Sequence, residues 1–554
     1  MRIRILFFVA VSWMFCSQGI AQQTIGLFIN KQGAYDGYTL FGPQASTDTY
    51  LIDNCGRQIH SWPSEFKSTG SVYFLENGNL IKNCPVNTST FGGVGGIGGR
   101  VEMYNWEGEV VWGYDYNSDR FHSHHDIEYL PNGNVLLIAW DLHTAEEAIE
   151  AGRDPSTIGD VIWSSKIVEL EPVGADDANI VWEWKLWDHL VQDFDPTLAN
   201  SGIVADHPEL VDLNFDGNAN INRDWQHCNA IDYNEVLDQI IISSRNNQEF
   251  WILDHSTTTE EAAGHTGGNA GKGGDILYRW GNPMAYGRGT EADKKFHYQH
   301  DCQWIAEGLP DAGKIMVFNN GLGRPGGNYS TVEILEPAIE NDGSYIIEDN
   351  AAYGPEDAYY TYTSDPPNSF YAQFVSGVSQ LPNGNFLICE GQGGRLFEID
   401  SDEGIVWEYQ NPVAFDPVEQ GTITDNSFYN IFRAYRYSFD YPGFDGRDLS
   451  PGDPIELNPL PIDCVPTSTT DIVDRGELAL YPNPTSDHLY ISIKEMNIDG
   501  VEIYSTNGQI IQTYTLTDIK ASSIDVSFLD KGLFILKAFN KDKSEQVLTK
   551  FIKL

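Results

Sequence analysis

Ser123-His124-His125-Asp126-Ile127-Glu128-Tyr129-Leu130-Pro131-Asn132-Gly133-Asn134-Val135-Leu136-Leu137-Ile138 reads as a strand, a tight turn and a second, apolar strand. Asn-Gly between apolar runs is the strongest short hairpin signal, because both residues tolerate positive φ. The turn recurs in Leu75-Glu76-Asn77-Gly78-Asn79-Leu80 and in Leu381-Pro382-Asn383-Gly384-Asn385-Phe386. A second kind of hairpin pairs an apolar strand with one that carries Trp or Tyr. Its copies are Tyr50-Leu51-Ile52 with Ile59-His60-Ser61-Trp62, Val101-Glu102-Met103-Tyr104 with Val110-Val111-Trp112, and Ile167-Val168-Glu169-Leu170 with Ile180-Val181-Trp182-Glu183-Trp184. Phe250-Trp251-Ile252-Leu253 with Ile276-Leu277-Tyr278-Arg279-Trp280 follows, then Val332-Glu333-Ile334-Leu335 with Tyr345-Ile346-Ile347, the most degenerate copy. Leu396-Phe397-Glu398-Ile399 with Ile405-Val406-Trp407-Glu408-Tyr409 is the last.

Two hairpins per unit make a four-stranded blade, and six units make an all-β, six-bladed β-propeller. A plain β-sandwich is the competing architecture, and six matching units disfavour it. Propellers bring the inner strands of successive blades to one axis, so a residue at the same place in each unit converges there. His125, His227 (in Trp225-Gln226-His227-Cys228-Asn229) and His300 (in Gln299-His300-Asp301-Cys302) hold matching positions in the second, third and fourth units. The sixth unit has Ser376-Gly377-Val378-Ser379 there.

Three convergent imidazoles have two chemical readings. Three neutral ligands plus a water make a catalytic zinc arrangement. Alternatively, imidazoles with a guanidinium grip a tetrahedral oxyanion while one ring attacks as a nucleophile. Arg245, at the end of the strand after His227, favours the second, since its planar fork matches oxyanions and repels a cation. An ordinary salt bridge is the competing role for Arg245. Along a regular strand only one of His124 and His125 faces inward. Asp301 is read either as orienting His300 or as capping a strand, and His297, three residues before His300, as facing away.

These residues resemble the arylsulfate sulfotransferase (arylsulfotransferase) family of six-bladed propellers over roughly residues 36 to 440. The resemblance is carried by His124-His125-Asp126-Ile127, His227 with Arg245, Gln299-His300-Asp301, Gly264-His265-Thr266-Gly267-Gly268, Asp275-Ile276-Leu277-Tyr278-Arg279-Trp280-Gly281-Asn282-Pro283 and Phe432-Arg433-Ala434-Tyr435-Arg436-Tyr437. It implies nucleotide-independent, ping-pong transfer of a sulfuryl group from an aryl sulfate to a phenol through a sulfated histidine. His300 is then the nucleophile, while His125, His227 and Arg245 hold the sulfate oxygens. The small N-terminal domain of the best-known members is not expected here, and exported location also admits sulfated polysaccharide as substrate. The alternatives are a non-catalytic propeller that binds sulfated glycans, and a metal-dependent hydrolase or lyase.

No organic cofactor is expected, and the chain has no Gly-rich phosphate cradle. Asp212-Leu213-Asn214-Phe215-Asp216-Gly217 has the alternating oxygen ligands of a calcium loop, with Arg223 where a bidentate Glu belongs. An Asx-rich turn leading into Trp225 is the competing reading of Asp212, Asn214 and Asp216.

Of the 554 residues, Asp and Glu supply 80 and Lys and Arg 33, a net charge of −47. Such a surface excludes nucleic acid as a partner and suits a solvated exported protein. Residues 1–21 read as a secretory signal, with Met1-Arg2-Ile3-Arg4, an apolar run from Ile5 to Phe15, and Gly19-Ile20-Ala21 before the cut. That run is too short to span a bilayer, and no later segment is long and apolar enough. Six cysteines remain after Cys16 leaves: Cys55, Cys84, Cys228, Cys302, Cys389 and Cys464. They admit fifteen pairings, a Cys228–Cys302 bridge among them.

The propeller is expected over 22–441, a Pro/Asp/Ser/Thr-rich linker over 442–475, and a small C-terminal β-sandwich over 476–554. Leu478-Ala479-Leu480-Tyr481-Pro482-Asn483-Pro484, the turn Thr506-Asn507-Gly508 and Gly532-Leu533-Phe534-Ile535-Leu536 resemble the type A C-terminal sorting domain of the type IX secretion system. That resemblance implies the type IX machinery as partner, export through periplasm and outer membrane, and release or surface attachment.

Overall fold

The structure, a computed structural model, describes residues 23–217, 223–340, 343–461, 464, 478–481, 485–486, 488–493, 500–505, 510–515, 523–529, 531–539 and 546–553. The expected signal segment, the stretch Pro482-Asn483-Pro484 and the turn at 506–508 lie outside these residues. The chain divides into two compact units, Met1–Thr467 and Ser468–Leu554.

The first unit is built mainly from antiparallel sheets. Each of six has four strands in the order of a double hairpin, innermost strand first, and the sixth gains a fifth. The first sheet mixes the two ends of the unit: Ile431–Tyr437 is innermost, followed by Tyr38–Pro43, Thr49–Ile52 and Gln58–Trp62. The second runs from Val72–Phe74 to Val110–Asp115, the third from Phe121–Tyr129 to Asp177–Lys185, and the fourth from Cys228–Asn234 to Tyr278–Trp280. His300–Trp304 opens the fifth and Gly377–Gln380 the sixth, to which Gly26–Asn30 adds beside Ile405–Gln410. Each sheet packs on the next, and the sixth packs on the first, so the sheets close a ring.

The aromatic residue of each outer strand is what joins neighbours. Trp62 Nε1 donates to Asn105 O, Trp112 to Asp177 O, Trp182 to Thr257 Oγ1, Trp280 to Pro355 O and Trp407 to Asn54 O. At the fifth sheet Tyr360 OH donates to Glu403 instead. Every one of these bonds reaches the next sheet in order. An indole is well suited to this place, because it buries a large apolar ring while its N–H finds an acceptor. Apolar clusters fill the spaces between sheets, for example Val101, Val135, Leu137 and Val168 between the second and third.

The Asn-Gly-Asn turns differ from the sequence reading in one detail. Only the glycines Gly78, Gly133 and Gly384 take positive φ, at 81°, 90° and 89°. Each preceding asparagine caps the turn instead, Asn132 Oδ1 accepting from Asn134 N at 2.9 Å. A bond from Leu130 N to Asn134 O at 2.9 Å then closes a longer loop than the two-residue hairpin. The degenerate fifth unit is a correction as well: its outer strand is Tyr360–Tyr362, paired with Thr331–Leu335, and Tyr345 packs on Tyr278 instead.

Cys55 and Cys464 form a disulfide, while Cys84, Cys228, Cys302 and Cys389 are free and buried, so no Cys228–Cys302 bridge exists. Cys228 is the acceptor of a bond from Ser165 Oγ at 3.1 Å. The disulfide also moves a boundary. The stretch expected as linker from residue 442 stays on the first unit, with Phe444 and Ile455 buried and Arg57 bridging Pro454. The second unit carries two sheets, Leu478–Tyr481/His488–Ile493/Ser523–Asp525 and Ile510–Thr515/Gly500–Ser505/Gly532–Phe539/Gln546–Lys553. They share a core of Leu489, Val501, Ile503, Ile524, Leu536 and Phe551.

Candidate active site

The innermost strands of the third, fourth and fifth sheets are all irregular where they carry histidine. Their registers shift between Leu137 and Ala139, between Cys228 and Ala230, and between His300 and Gln303. His125 and His227 sit at φ 55° and 48°, and Asp301 at 54°. Non-glycine residues in that region carry strain of roughly 1–3 kcal/mol each, and such strain concentrates at functional sites. The bulges break the alternation of the strand. His124 therefore stacks on Trp140, at 4.1 Å between ring centroids, while its neighbour His125 reaches the cavity at the ring's centre.

That cavity, about 600 Å³, brings together His125, His227, Arg245 and His300. All four expected site residues line it, and His297 does not. Its other polar lining comes from Gln44, Lys67, Thr69 and Asn87, and its apolar lining includes Phe374 and Phe432. Among the described residues no carboxylate lines it, although the chain's net charge is −47. The site is locally cationic within an acidic protein.

Each imidazole is held from behind. His300 Nδ1 bonds Asn320 Oδ1 at 2.7 Å, and Val375 N donates to His300 Nε2 at 3.2 Å. Asn320 is itself oriented, because its Nδ2 donates to the carbonyls of Ala372 and Val375 at 2.9 and 3.0 Å. Its oxygen must therefore be the atom that accepts from His300, which fixes the Nδ1–H tautomer and leaves the lone pair on Nε2. Burial, then the Arg245 charge, pushes His300 well below the ordinary histidine value. The ring is neutral at pH 7.

His227 Nδ1 lies 2.5 Å from Asp224 Oδ2, and Asp224 also accepts from Trp140 Nε1 at 2.8 Å. Burial alone would raise the Asp224 carboxyl, but the adjacent His227 outweighs it and holds the group below its usual range. The His125 and His227 rings are 4.5 Å apart. His125 Nδ1 meets His124 Nδ1 at 2.8 Å. Burial pushes His124 down to about 3 and His125 well below its usual value, so the pair is neutral and shares one proton across that bond. Gly96 closes over His125, its carbonyl accepting from His125 N at 2.7 Å.

Arg245 makes no ion pair among the described residues. Its guanidinium stacks on Tyr298 at 4.7 Å and touches only the Asn246 amide oxygen, at 3.3 Å. The salt-bridge reading of Arg245 is thereby corrected. Asp301 makes no hydrogen bond to His300 among the described residues and holds the start of the strand Gly377–Gln380 instead. It pairs with Arg433 at 2.9 Å and accepts from Val378 N at 2.8 Å.

Arg433, on the innermost strand of the first sheet, was legible only as part of an aromatic-basic run. It is the hub beneath the cavity, bonding Asp126 at 2.7 Å, Asp301 at 2.9 Å and the carbonyl of Asn229 at 3.2 Å. One guanidinium thus ties together the residues that follow His125 and His300 and a carbonyl two residues beyond His227. Asn320, Asp224 and Arg433 are the supporting residues that sequence patterning did not single out.

The calcium-like loop is organised around a guanidinium. Arg153 pairs with Asp216 at 2.6 Å and donates to Leu213 O, while Asn214 Oδ1 accepts from Asp154 N at 2.8 Å. Asp212 accepts from Asn214 N, and burial raises its carboxyl to about 6. Among the described residues of the loop, Asp216 is thus already engaged by a buried cation.

Residues 479–553 match a secretion system C-terminal sorting domain, which marks the chain for export to the cell surface or beyond, and no described helix is long and apolar enough to cross a membrane. No curated protein matches the chain. Among solved structures, a protein of unknown function from Bacteroides caccae is 12% identical, with a TM-score of 0.39 over 72% of this chain and 98% of that one. A streptogramin B lyase is 13% identical, with a TM-score of 0.33 over 70% and 86%. Virginiamycin B lyase from Staphylococcus aureus is 9% identical, with a TM-score of 0.30 over 71% and 86%. Residues 27–422 match arylsulfotransferase (ASST). That span includes the cavity's three histidines and Arg245, and the chain belongs to the arylsulfotransferase family, whose membership supports aryl sulfotransfer as its activity.

Proposed function

We propose that this chain moves a sulfuryl group from an aryl sulfate to a phenolic acceptor through a covalent sulfohistidine at His300. The observation that carries the reading is the His300–Asn320 bond, which keeps the Nδ1–H tautomer and so an Nε2 lone pair at the cationic cavity, where the Val375 N–H holds it at 3.2 Å until the donor's sulfur takes its place. In the first half-reaction Nε2 attacks sulfur, the S–O(aryl) bond breaks, and the phenolate leaves with the electron pair. In the second, the acceptor's phenolate oxygen attacks sulfur and the S–N bond breaks, returning its pair to Nε2.

Arg245, His125 and His227 hold the sulfate oxygens. Arg245 is free to do so because no carboxylate among the described residues engages it, and fixed donors act where charge develops on those oxygens. His227, backed by Asp224, is the group that passes a proton to the departing phenolate and takes one from the incoming phenol. Phe374 and Phe432 supply apolar walls for the aryl rings.

The test is incubation of the full chain with a chromogenic aryl sulfate, with and without phenol, followed by peptide mass analysis. Phenol should accelerate dye release, and without acceptor His300 should gain one sulfuryl group. A His300→Ala protein that still transfers sulfate at the wild-type rate sinks the mechanism. Release that phenol does not accelerate identifies a sulfatase instead.

A further inference from the structure

A second convergence of imidazoles lies outside the cavity, where the third sheet meets the fourth. Residues 264–274 hold six glycines (264, 267, 268, 271, 273 and 274), and this loop carries His265 to one side of Asp275. His189, just after the short turn Leu186–Asp188, comes from the other side. His189 Nε2 lies 2.8 Å from the Ala262 carbonyl, which only accepts, so that nitrogen carries the proton. Its Nδ1 faces Asp275 Oδ1 at 2.8 Å, and His265 Nδ1 approaches the same oxygen at 2.7 Å.

We propose that His189, His265 and Asp275 are the ligands of a divalent zinc-class ion, bound through Nδ1 of each imidazole and the carboxylate. Among the described residues these ligand atoms all lie within 4.8 Å of one another. The Nε2–H bond to a backbone carbonyl is the outer-shell arrangement that fixes the tautomer and orientation of a metal-bound histidine. His189 is held further by Trp184, stacked at 5.8 Å and 7°, whose Nε1 donates to Gly274 O at 2.8 Å. Two imidazoles and one carboxylate suit zinc, whereas calcium and magnesium take all-oxygen sets. Metal–ligand bonds of about 2.1 Å put tetrahedral ligand atoms about 3.4 Å apart. The two separations to Asp275 Oδ1, 2.8 and 2.7 Å, need to open by about 0.6 to 0.7 Å, which the exposed His265 and its glycine loop permit. His265 also lines the cleft formed with Trp187 and Ser201, so the site is reachable from solvent. The ion staples the 264–275 loop of the fourth sheet to the end of the third.

The test uses the full chain, untagged, stripped with a chelator and titrated separately with Zn²⁺ and Co²⁺. One Zn²⁺ per chain should bind with a rise in Tm, and Co²⁺ should show the visible absorption of a four-coordinate site. His265→Ala, an exposed change that the fold tolerates, should abolish the Co²⁺ bands and weaken Zn²⁺ binding by at least about 10-fold. His207→Ala should leave both unchanged. Zn²⁺ affinity that is equal in wild type and His265→Ala, or no stoichiometric binding at all, overturns the site and leaves a second proton on His189 as the occupant of that contact.

Discussion

Asn320 accepts the Nδ1 proton of His300 at 2.7 Å while its own amide is pinned to the carbonyls of Ala372 and Val375. The pairing decides which nitrogen of the proposed nucleophile is available, so Asn320 is a positioning residue. Asn320→Ala should leave the cavity lining intact and free the ring to turn. The sulfation half-reaction should slow on the order of 100-fold, the cost of a misplaced reacting atom, with KM for the donor nearly unchanged. Stopped-flow dye release measures it. An equal effect on KM and kcat would instead mark Asn320 as a residue that only shapes the pocket.

Arg245 should not be replaceable by lysine. Its fork stacks on Tyr298 at 4.7 Å and presents two N–H groups in one plane, whereas an ammonium is a point charge without that geometry. Arg245→Ala should lower kcat by about 100- to 1000-fold, the usual effect of removing one donor to a developing oxyanion. Arg245→Lys should recover only part of it. Full recovery would show that charge alone matters. Steady-state kinetics with one aryl sulfate decides between these outcomes.

Much of this arrangement was legible from the sequence, for identifiable reasons. The Trp and Tyr residues repeat because each must donate to a backbone or side chain of the following sheet, and the register is preserved from Trp62 to Trp407. The histidines repeat because equivalent positions of inner strands meet. What failed to show is contact made across the ring by unlike residues. Arg433 joins Asp126 to Asp301 over more than a hundred residues in each case, and no periodicity encodes that. Asn320 ends a strand hairpin away from His300, and its role depends on a side-chain tautomer. The bulges were equally hidden, since His125 and His227 take positive φ where an alternating strand predicts extended backbone. The fifth unit misled because a long insertion separates Leu335 from its true partner strand at Tyr360.

Gly96 is the position where the smallest change should do the most harm to the site. Its φ is +73°, and a Cβ there would fall 2.1 Å from His125 Nε2. Gly96→Ala must push the imidazole aside or move the loop. The expected result is a protein that melts cooperatively with a modest loss of stability, roughly 1–3 kcal/mol for the strained backbone. Activity should fall on the order of 100-fold as His125 leaves its place. Retained activity with an unchanged Tm would show that the loop relaxes freely.

The pH dependence of the first half-reaction follows from the neutral state of His300. Its protonated form is disfavoured by burial and by Arg245, so its pKa lies well below the ordinary 6.5. A lowered value means that acid must go well below pH 6.5 before the lone pair is lost. Pre-steady-state dye release should therefore be flat on the acid side down through pH 6.5 and fall only below it. In Arg245→Ala, the second contributor to the depression is gone, so the fall should move to higher pH. An acid limb at or above pH 6.5 in the wild type would mean that another group controls attack.

Arg433→Met tests the hub beneath the cavity. The guanidinium compensates two buried carboxylates, Asp126 at 2.7 Å and Asp301 at 2.9 Å, and removing one partner of a buried ion pair typically costs about 3–5 kcal/mol. The sign with pH is fixed by Asp301. Burial raises its carboxyl to about 6 even though Arg433 pulls it down, so loss of Arg433 raises it further. A carboxyl whose folded-state pKa lies above its unfolded value binds its proton more readily when folded, and stability falls as pH rises through that interval. At pH 5 Asp301 is largely protonated in both proteins and tolerates the missing charge. At pH 8 the wild type holds an ionised Asp301 beside Arg433, whereas the variant must bury it unpaired or keep it protonated at a cost. The Tm difference between wild type and Arg433→Met should therefore be smaller at pH 5 than at pH 8, since the lost Asp126 contact contributes apart from Asp301. A difference that does not change across that range would show that packing, rather than charge compensation, is what Arg433 contributes.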